Sequence, residues 1–340
     1  AWLLHEVDLD GLAATVPEIA RVADGPPPAP TRPATAVARA RKARAWPNRR
    51  ELDAAYSFSS LMARAATSWH EDEAARDEAM APDIAIAEAV ADPRLQALDE
   101  WRGVAFGNVL HAVFELRERA RPIAEQRALV HEQLARAGLR VDTARAPRLV
   151  DAVIERVQAT LDADLGDGLR LGEIEARAER AEMGFQCRID RLDLAALRRL
   201  CDGAGETGLL PAALGETRLR GFLSGKIDLV LVHGGAVHVL DYKSNRLGDR
   251  LADYEGMALD RAMSEHGYRW QALIYAIAVR RYLARRQRDR AAALPLGDAI
   301  YLFVRAVGLA PGAGVWRHRF APDFVAAVDA LFATAEASNP

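Results

Sequence analysis

Cysteine is nearly absent from this chain. Only Cys187 and Cys201 occur in 340 residues. Two thiols cannot build a disulfide framework or a four-cysteine iron–sulfur site, and a reduced, cytoplasmic protein is the simplest expectation. Long apolar runs are missing too. Half of the residues are hydrophobic, enough for a sizeable core, yet no stretch reaches the roughly 18–20 apolar residues of a membrane span. No membrane partner is therefore expected. Charge of one sign is not in excess: the net charge is −3, which excludes a globally basic nucleic-acid coat and leaves any such contact to local clusters. No repeat of fixed period is present. A phosphate loop is lacking as well. "GFLSGK" at 221–226 falls one residue short of the Walker A spacing and places Ile227 where Ser or Thr is needed, so no ATP site is expected here. The chain opens "AWLLHEVDLDGL", without Met and with early acids. That reads as neither a start nor a signal peptide, and residues 1–24 are expected to be the end of a preceding domain.

What is present divides the chain unevenly. Residues 25–33, "GPPPAPTRP", suit a stiff, extended linker. Residues 34–50 carry six basic residues and no acid. They read either as a solvated linker or as a tether that touches phosphates. Globular patterning begins at Glu51. Helices are expected near 99–119, 122–137 and 146–163 and a strand over 180–189. A hairpin of strands 222–232 and 236–243 should turn at His233-Gly234-Gly235. Helices near 254–265 and 267–288, a strand at "DAIYLFVRAV" and a helix near 322–336 complete a mixed α/β core with extra N-terminal helices.

The hairpin raises a chemical question, because it carries Asp228 and Asp241 within strongly apolar sequence. Buried charge is costly unless it is compensated. Both acids stand about six residues from the turn, so they are near cross-strand neighbours, roughly 5 Å apart. Two carboxylates that close repel, and a hard divalent cation bound through oxygen resolves the conflict. Lys243 leaves the same strand face as Asp241, where an ammonium can offset negative charge developing on a phosphate. The pattern suits phosphodiester cleavage, although a bare Asp-x-Lys alone would more often be a solvated strand end.

The flanking residues add a resemblance. "GKIDLV" (225–230) and "LDYKSNRLG" (240–248) are similar to the core of the RecB-type nuclease domains of the PD-(D/E)XK superfamily, found at the end of the helicase–nuclease subunit of RecBCD complexes (exodeoxyribonuclease V). "YSFSSL" (56–61), "GNVLHAVFE" (107–115), "AMSEHGYRWQALIYAIAVRRYL" (262–283), "IYLFVRAV" (300–307) and "GVW" (314–316) resemble further motifs of that family in the right order. The resemblance implies a restriction-endonuclease-like core, a central mixed sheet flanked by helices, over 51–340. It implies a metal-dependent deoxyribonuclease, with Mg²⁺ held by His111, Asp228, Asp241 and the backbone carbonyl of Tyr242. Mn²⁺ is a plausible substitute, because imidazole suits it better. Lys243, Asp241, Asp228 and Glu182 would be catalytic, and Gln271, Tyr275 and Glu115 would support the site or the DNA. Gly184 stands where relatives often carry a second acid, which puts that acid's role in doubt.

The implied partners are linear DNA unwound to single strands, RecC-like and RecD-like subunits and an upstream helicase domain. The implied setting is the bacterial cytoplasm, at the nucleoid, in double-strand break repair and recombination. Taken alone, His111 is more often an ordinary helix residue and Gln271 with Tyr275 a polar seam. The arginines after residue 279 could be a solvated helix end or a phosphate or partner contact. A docking module that keeps the fold without the chemistry, and an AddA-like or Cas4-like nuclease, remain the alternatives.

Overall fold

The computed structural model describes residues 54–58, 60, 91–98, 101–139, 146–211, 214, 218–286 and 294–332. The expectations for 1–24 and 25–50 lie outside these residues, as do Arg288 and Arg290. Six strands form one mixed sheet: β1 (Ala54–Tyr56), β2 (Glu179–Asp193), β3 (Arg218–His233), β4 (Ala236–Lys243), β5 (Leu296–Phe303) and β6 (Val315–His318). β2 pairs antiparallel with β3 along almost its whole length. The other edge of β3 pairs parallel with β1 near its start and antiparallel with β4 near its end. β4 continues parallel to β5, and β5 antiparallel to β6.

Seven α-helices among the described residues cover the two faces. α1 (Gly103–Leu116), α2 (Arg127–Arg136) and α3 (Ala146–Asp162) pack on one face through Phe106, Val113, Val130 and Val153. α4 (Leu194–Gly203), α5 (Gly256–Glu265), α6 (Tyr268–Arg286) and α7 (Pro322–Phe332) cover the other through Leu197, Met263, Leu273 and Val328. Every residue of α6 from Trp270 to Val279 is buried, as befits a helix enclosed on all sides. No described helix is long and apolar enough to cross a membrane.

The hairpin forms as expected. Gly234 and Gly235 both have positive φ, 56° and 76°, which a two-residue primed turn demands and a side chain resists. The segment "GFLSGK" lies inside β3. Other boundaries differ from expectation. The first helix starts at Gly103. The next splits into a 3₁₀ turn, Ile123–Glu125, and α2, because the Gln126 side chain accepts from Glu118 N and donates to the carbonyls of Glu118 and Arg121. α4 is an addition to the expected helices. Asp193 caps it by accepting from the N–H groups of Ala195 and Ala196 at 2.9 and 3.1 Å. Of the arginines near the end of α6, Arg280 and Arg281 both pair with Asp329 of α7 and so pin two helices together.

Arg305 is 2% exposed. Its guanidinium donates to the carbonyls of Ser244 (2.6 Å), Leu98 (2.9 Å) and Trp101 (2.5 Å). It thereby ties the segment leading into α1 to the residue after β4. Arg305→Met should destabilise the fold by about 3 kcal/mol or more, because buried carbonyls lose their donor. Urea unfolding of the two proteins measures this, and Arg305→Lys should recover only part of the loss.

Candidate active site

The two acids lie where the strand ladders break. Leu229 pairs with Leu240 and Val230 with Val239, so Asp228 and Asp241 are the next positions at the open end of the hairpin. There the Asp228 side chain takes over from the backbone: its Oδ2 accepts the Tyr242 N–H at 2.8 Å. On the opposite edge, Ala181 pairs with Leu229 and Met183 with Ile227, but Glu182 and Asp228 between them do not pair. Glu182 has φ 51°, a left-handed backbone that costs a non-glycine residue on the order of 1–3 kcal/mol.

Both strands change face at this point. Leu229 and Leu231 pack with the α1–α3 layer, whereas Ile227 and Leu223 pack with the α6 layer. Ala181 and Met183 divide in the same way. Regular alternation would keep residues of equal parity on one side. The crossover leaves Glu182 and Asp228 side by side in a cleft, where His111 of α1 joins them. One ligand atom from each of His111, Glu182 and Asp228 lies within 4.8 Å of the others. The same cleft is lined by Glu115, Tyr242, Arg117 and Arg119.

Two contacts set the height of His111. A Cβ on Gly107 would lie 3.1 Å from Ser244 Oγ, so glycine allows α1 to approach the end of β4 closely. One turn later, His111 Nδ1 is 3.2 Å from Asp228 Oδ2. Phe114 stacks flat on Tyr242, with ring centroids 4.0 Å apart. Burial lowers the His111 pKa, but the hydrogen bond and charge of Asp228 outweigh it and hold the imidazole above its ordinary value.

Asp241 and Lys243 form the second half of the site, on the α6 side. Lys243 Nζ lies 2.7 Å from Asp241 Oδ2, donates to Gln271 Oε1 at 3.1 Å and stands 3.9 Å from the Tyr268 ring centroid. Tyr301 donates to the same Gln271 oxygen at 3.1 Å. Burial together with the nearby carboxylates of Asp241, Asp228 and Glu182 holds the Tyr275 hydroxyl well above the usual range. Burial would favour a neutral Lys243, yet Asp241 beside it raises its pKa. Burial and the neighbouring Asp228 charge push the Asp241 carboxyl up to about 6. The donor set around the cleft is one imidazole nitrogen and several carboxylate oxygens, two of which repel. This composition fits a hard divalent cation such as Mg²⁺ or Mn²⁺.

The structure thus gathers His111, Glu182 and Asp228 on one side, and Asp241, Lys243, Gln271 and Tyr275 on the other. Glu115 lines the cleft rim and is exposed. Gly184 is exposed, opposite Lys226 in the ladder, and Lys226 reaches back to Glu182 at 3.0 Å. Tyr268 and Tyr301 were not among the expected site residues. Tyr268 precedes Gln271 by three residues, on the face of α6 that also carries Tyr275. Tyr301 is visible only from the β4–β5 register, in which it pairs with Asp241.

This combination of fold and site is that of a nuclease, and the chain belongs to the PD-(D/E)XK nuclease superfamily, whose profile matches residues 88–337. Within it the chain is a RecB-like nuclease domain. It is 36% identical over 227 residues to the RecBCD enzyme subunit RecB of Mycobacterium tuberculosis (strain ATCC 25618 / H37Rv), a match covering 60% of this chain and 21% of that protein. RecB of Escherichia coli (strain K12) is 32% identical over 253 residues, 73% of this chain and 21% of that protein. RecB of Haemophilus influenzae (strain ATCC 51907 / DSM 11121 / KW20 / Rd) is 38% identical over 115 residues, 34% and 10%. The chain spans about a fifth of the length of the first two relatives.

The raised His111 pKa has a readable sign. A group raised on folding adds stability that is complete below its unfolded pKa, about 6.5, and is lost as pH rises through the folded value. In metal-free protein, the His111 ring protons followed by NMR should titrate above the ordinary midpoint. In Asp228→Asn the midpoint should fall below it, because burial is then the larger remaining influence.

Proposed function

We propose that this chain hydrolyses phosphodiester bonds of DNA in a Mg²⁺-dependent reaction, with Mn²⁺ able to substitute, as the nuclease portion of a RecB-type helicase–nuclease. The observation that carries this reading is the meeting of Asp228, Asp241, Lys243 and His111 at one break in the sheet. His111, Asp228, Asp241 and the Tyr242 carbonyl would hold the metal, and Glu182 stands close enough to His111 and Asp228 to share it. A divalent ion there supplies Lewis acidity toward a phosphate oxygen and toward water. Lys243, kept charged by Asp241, offsets negative charge as the phosphorus gains its fifth oxygen. Gln271 holds the Lys243 ammonium in place, and Tyr275 lies close to the carboxylate that Lys243 leans on. Glu115, on the rim, would face the strand.

The RecB relatives are named as subunits of RecBCD. We therefore assign as partners RecC-like and RecD-like subunits and an upstream helicase region, with 51–340 as the nuclease domain. The role would be processing of unwound strands in the cytoplasm during break repair and recombination.

Digestion of end-labelled, linear single-stranded DNA by the full chain tests the reading. Cleavage should occur with Mg²⁺ or Mn²⁺ and cease in EDTA. Asp241→Ala should abolish it. Lys243→Ala should lose at least about a hundredfold in rate, on the order of 3 kcal/mol in the barrier, while calorimetry still detects metal binding. Cleavage that persists in EDTA or in Asp241→Ala would refute the assignment.

A further inference from the structure

Arg117 ends α1, its N–H donating to Val113 O at 3.1 Å. A basic residue at that position usually complements the helix dipole from solvent. Arg117 does not stand in solvent: it is 7% exposed. Its Nε and Nη1 are buried and have no hydrogen-bond partner among the described residues. Glu179, the buried acid lining the same cleft, forms an ion pair with Arg119, and neither of its oxygens hydrogen-bonds Arg117. The guanidinium lines the cleft that also holds His111, Glu182 and Asp228. Burying a cation without hydrogen bonds is expensive, and the cost disappears when an anion arrives. The guanidinium is planar, permanently charged and rich in donors, which suits it to the oxygens of a phosphate in a way that a lysine ammonium cannot reproduce. With no bond to break, the side chain can turn toward an incoming anion without losing one.

We infer that Arg117 is a phosphate-receiving residue: a phosphodiester of the DNA strand lying in the cleft accepts hydrogen bonds from its guanidinium. This rests on the nuclease reading above and adds to it a backbone contact made from α1, across the cleft from Lys243 and its neighbours. Arg119 is occupied by Glu179, so Arg117 is the cation of this pair that is left for the strand.

The test uses the full chain, a fluorescently labelled single-stranded oligonucleotide and EDTA, so that nothing is cut. Binding is followed by anisotropy at several salt concentrations, for the parent, Arg117→Met and Arg117→Lys. Arg117→Met should weaken binding about tenfold and reduce the slope of log affinity against log salt by about 0.7, the share of one phosphate contact on a single strand. Arg117→Lys, which keeps the charge but loses the fork, should bind between the two. Without DNA, Arg117→Met should melt no lower than the parent, since it removes an unpaired buried charge. Binding by Arg117→Met within twofold of the parent overturns the inference. So does a lowered melting temperature in Arg117→Met that Arg117→Lys restores together with full binding, because the charge would then serve the fold. If the parent cuts DNA in Mg²⁺ while Arg117→Met binds like the parent, the inference fails and the nuclease reading stands. A parent that neither binds nor cuts brings down both.

Discussion

The hydrogen bond from the Tyr242 N–H to Asp228 is where this architecture and its chemistry meet. A backbone donor at the open end of a hairpin needs an acceptor, and here a carboxylate takes the place of a strand carbonyl. That substitution fixes the Asp228 side chain, whose same oxygen also meets His111 Nδ1 at 3.2 Å. It also sets Tyr242, whose ring receives Phe114 and with it the face of α1 that carries His111. If the strands were regular, Glu182 and Asp228 would pair through their backbones. The left-handed Glu182 is the local strain that releases both side chains into the cleft.

The second half of the site is a problem of buried charge. Asp241 and Lys243 are largely withdrawn from water, and each would be costly alone. Together they form an ion pair, and Lys243 is held by a ring of neighbours from one helix and one strand: Gln271, which Tyr301 also meets, and the face of Tyr268, with Tyr275 close to Asp241. None of these neighbours is charged, so the ammonium is oriented without being neutralised again. Helix α6 supplies three of the four, which explains why its buried stretch from Trp270 to Val279 carries a polar residue at Gln271.

The sequence made the hairpin legible, because two adjacent glycines and alternating β-branched residues leave little choice of turn or face. Asp228, Asp241 and Lys243 were legible for the same reason, as charges in apolar strands. His111 and Gln271 came only from resemblance, since a helical His or Gln carries no chemistry by itself. Three features lay beyond such reading. α4 was hidden because its capping Asp193 ends a strand and its first turn looks like a continuation. The change of face at Glu182 is a backbone event that no residue type announces, glutamate being a poor candidate for positive φ. The Arg117 environment depends on which acid Arg119 occupies, and that is decided only by packing.

Arg305 joins residues more than two hundred positions apart. Contacts of such separation form late, because loop closure must be completed before they contribute. A chain emerging from the ribosome therefore carries α1 and both acids of the hairpin well before the clamp that draws them together can exist. The Arg305 ties between the segment before α1 and the end of β4 are lacking until residue 305 is made, and Tyr301, which meets Gln271, arrives only just before it. A chain cut short before its last strands keeps the chemical groups of the site but not the scaffold that aligns them.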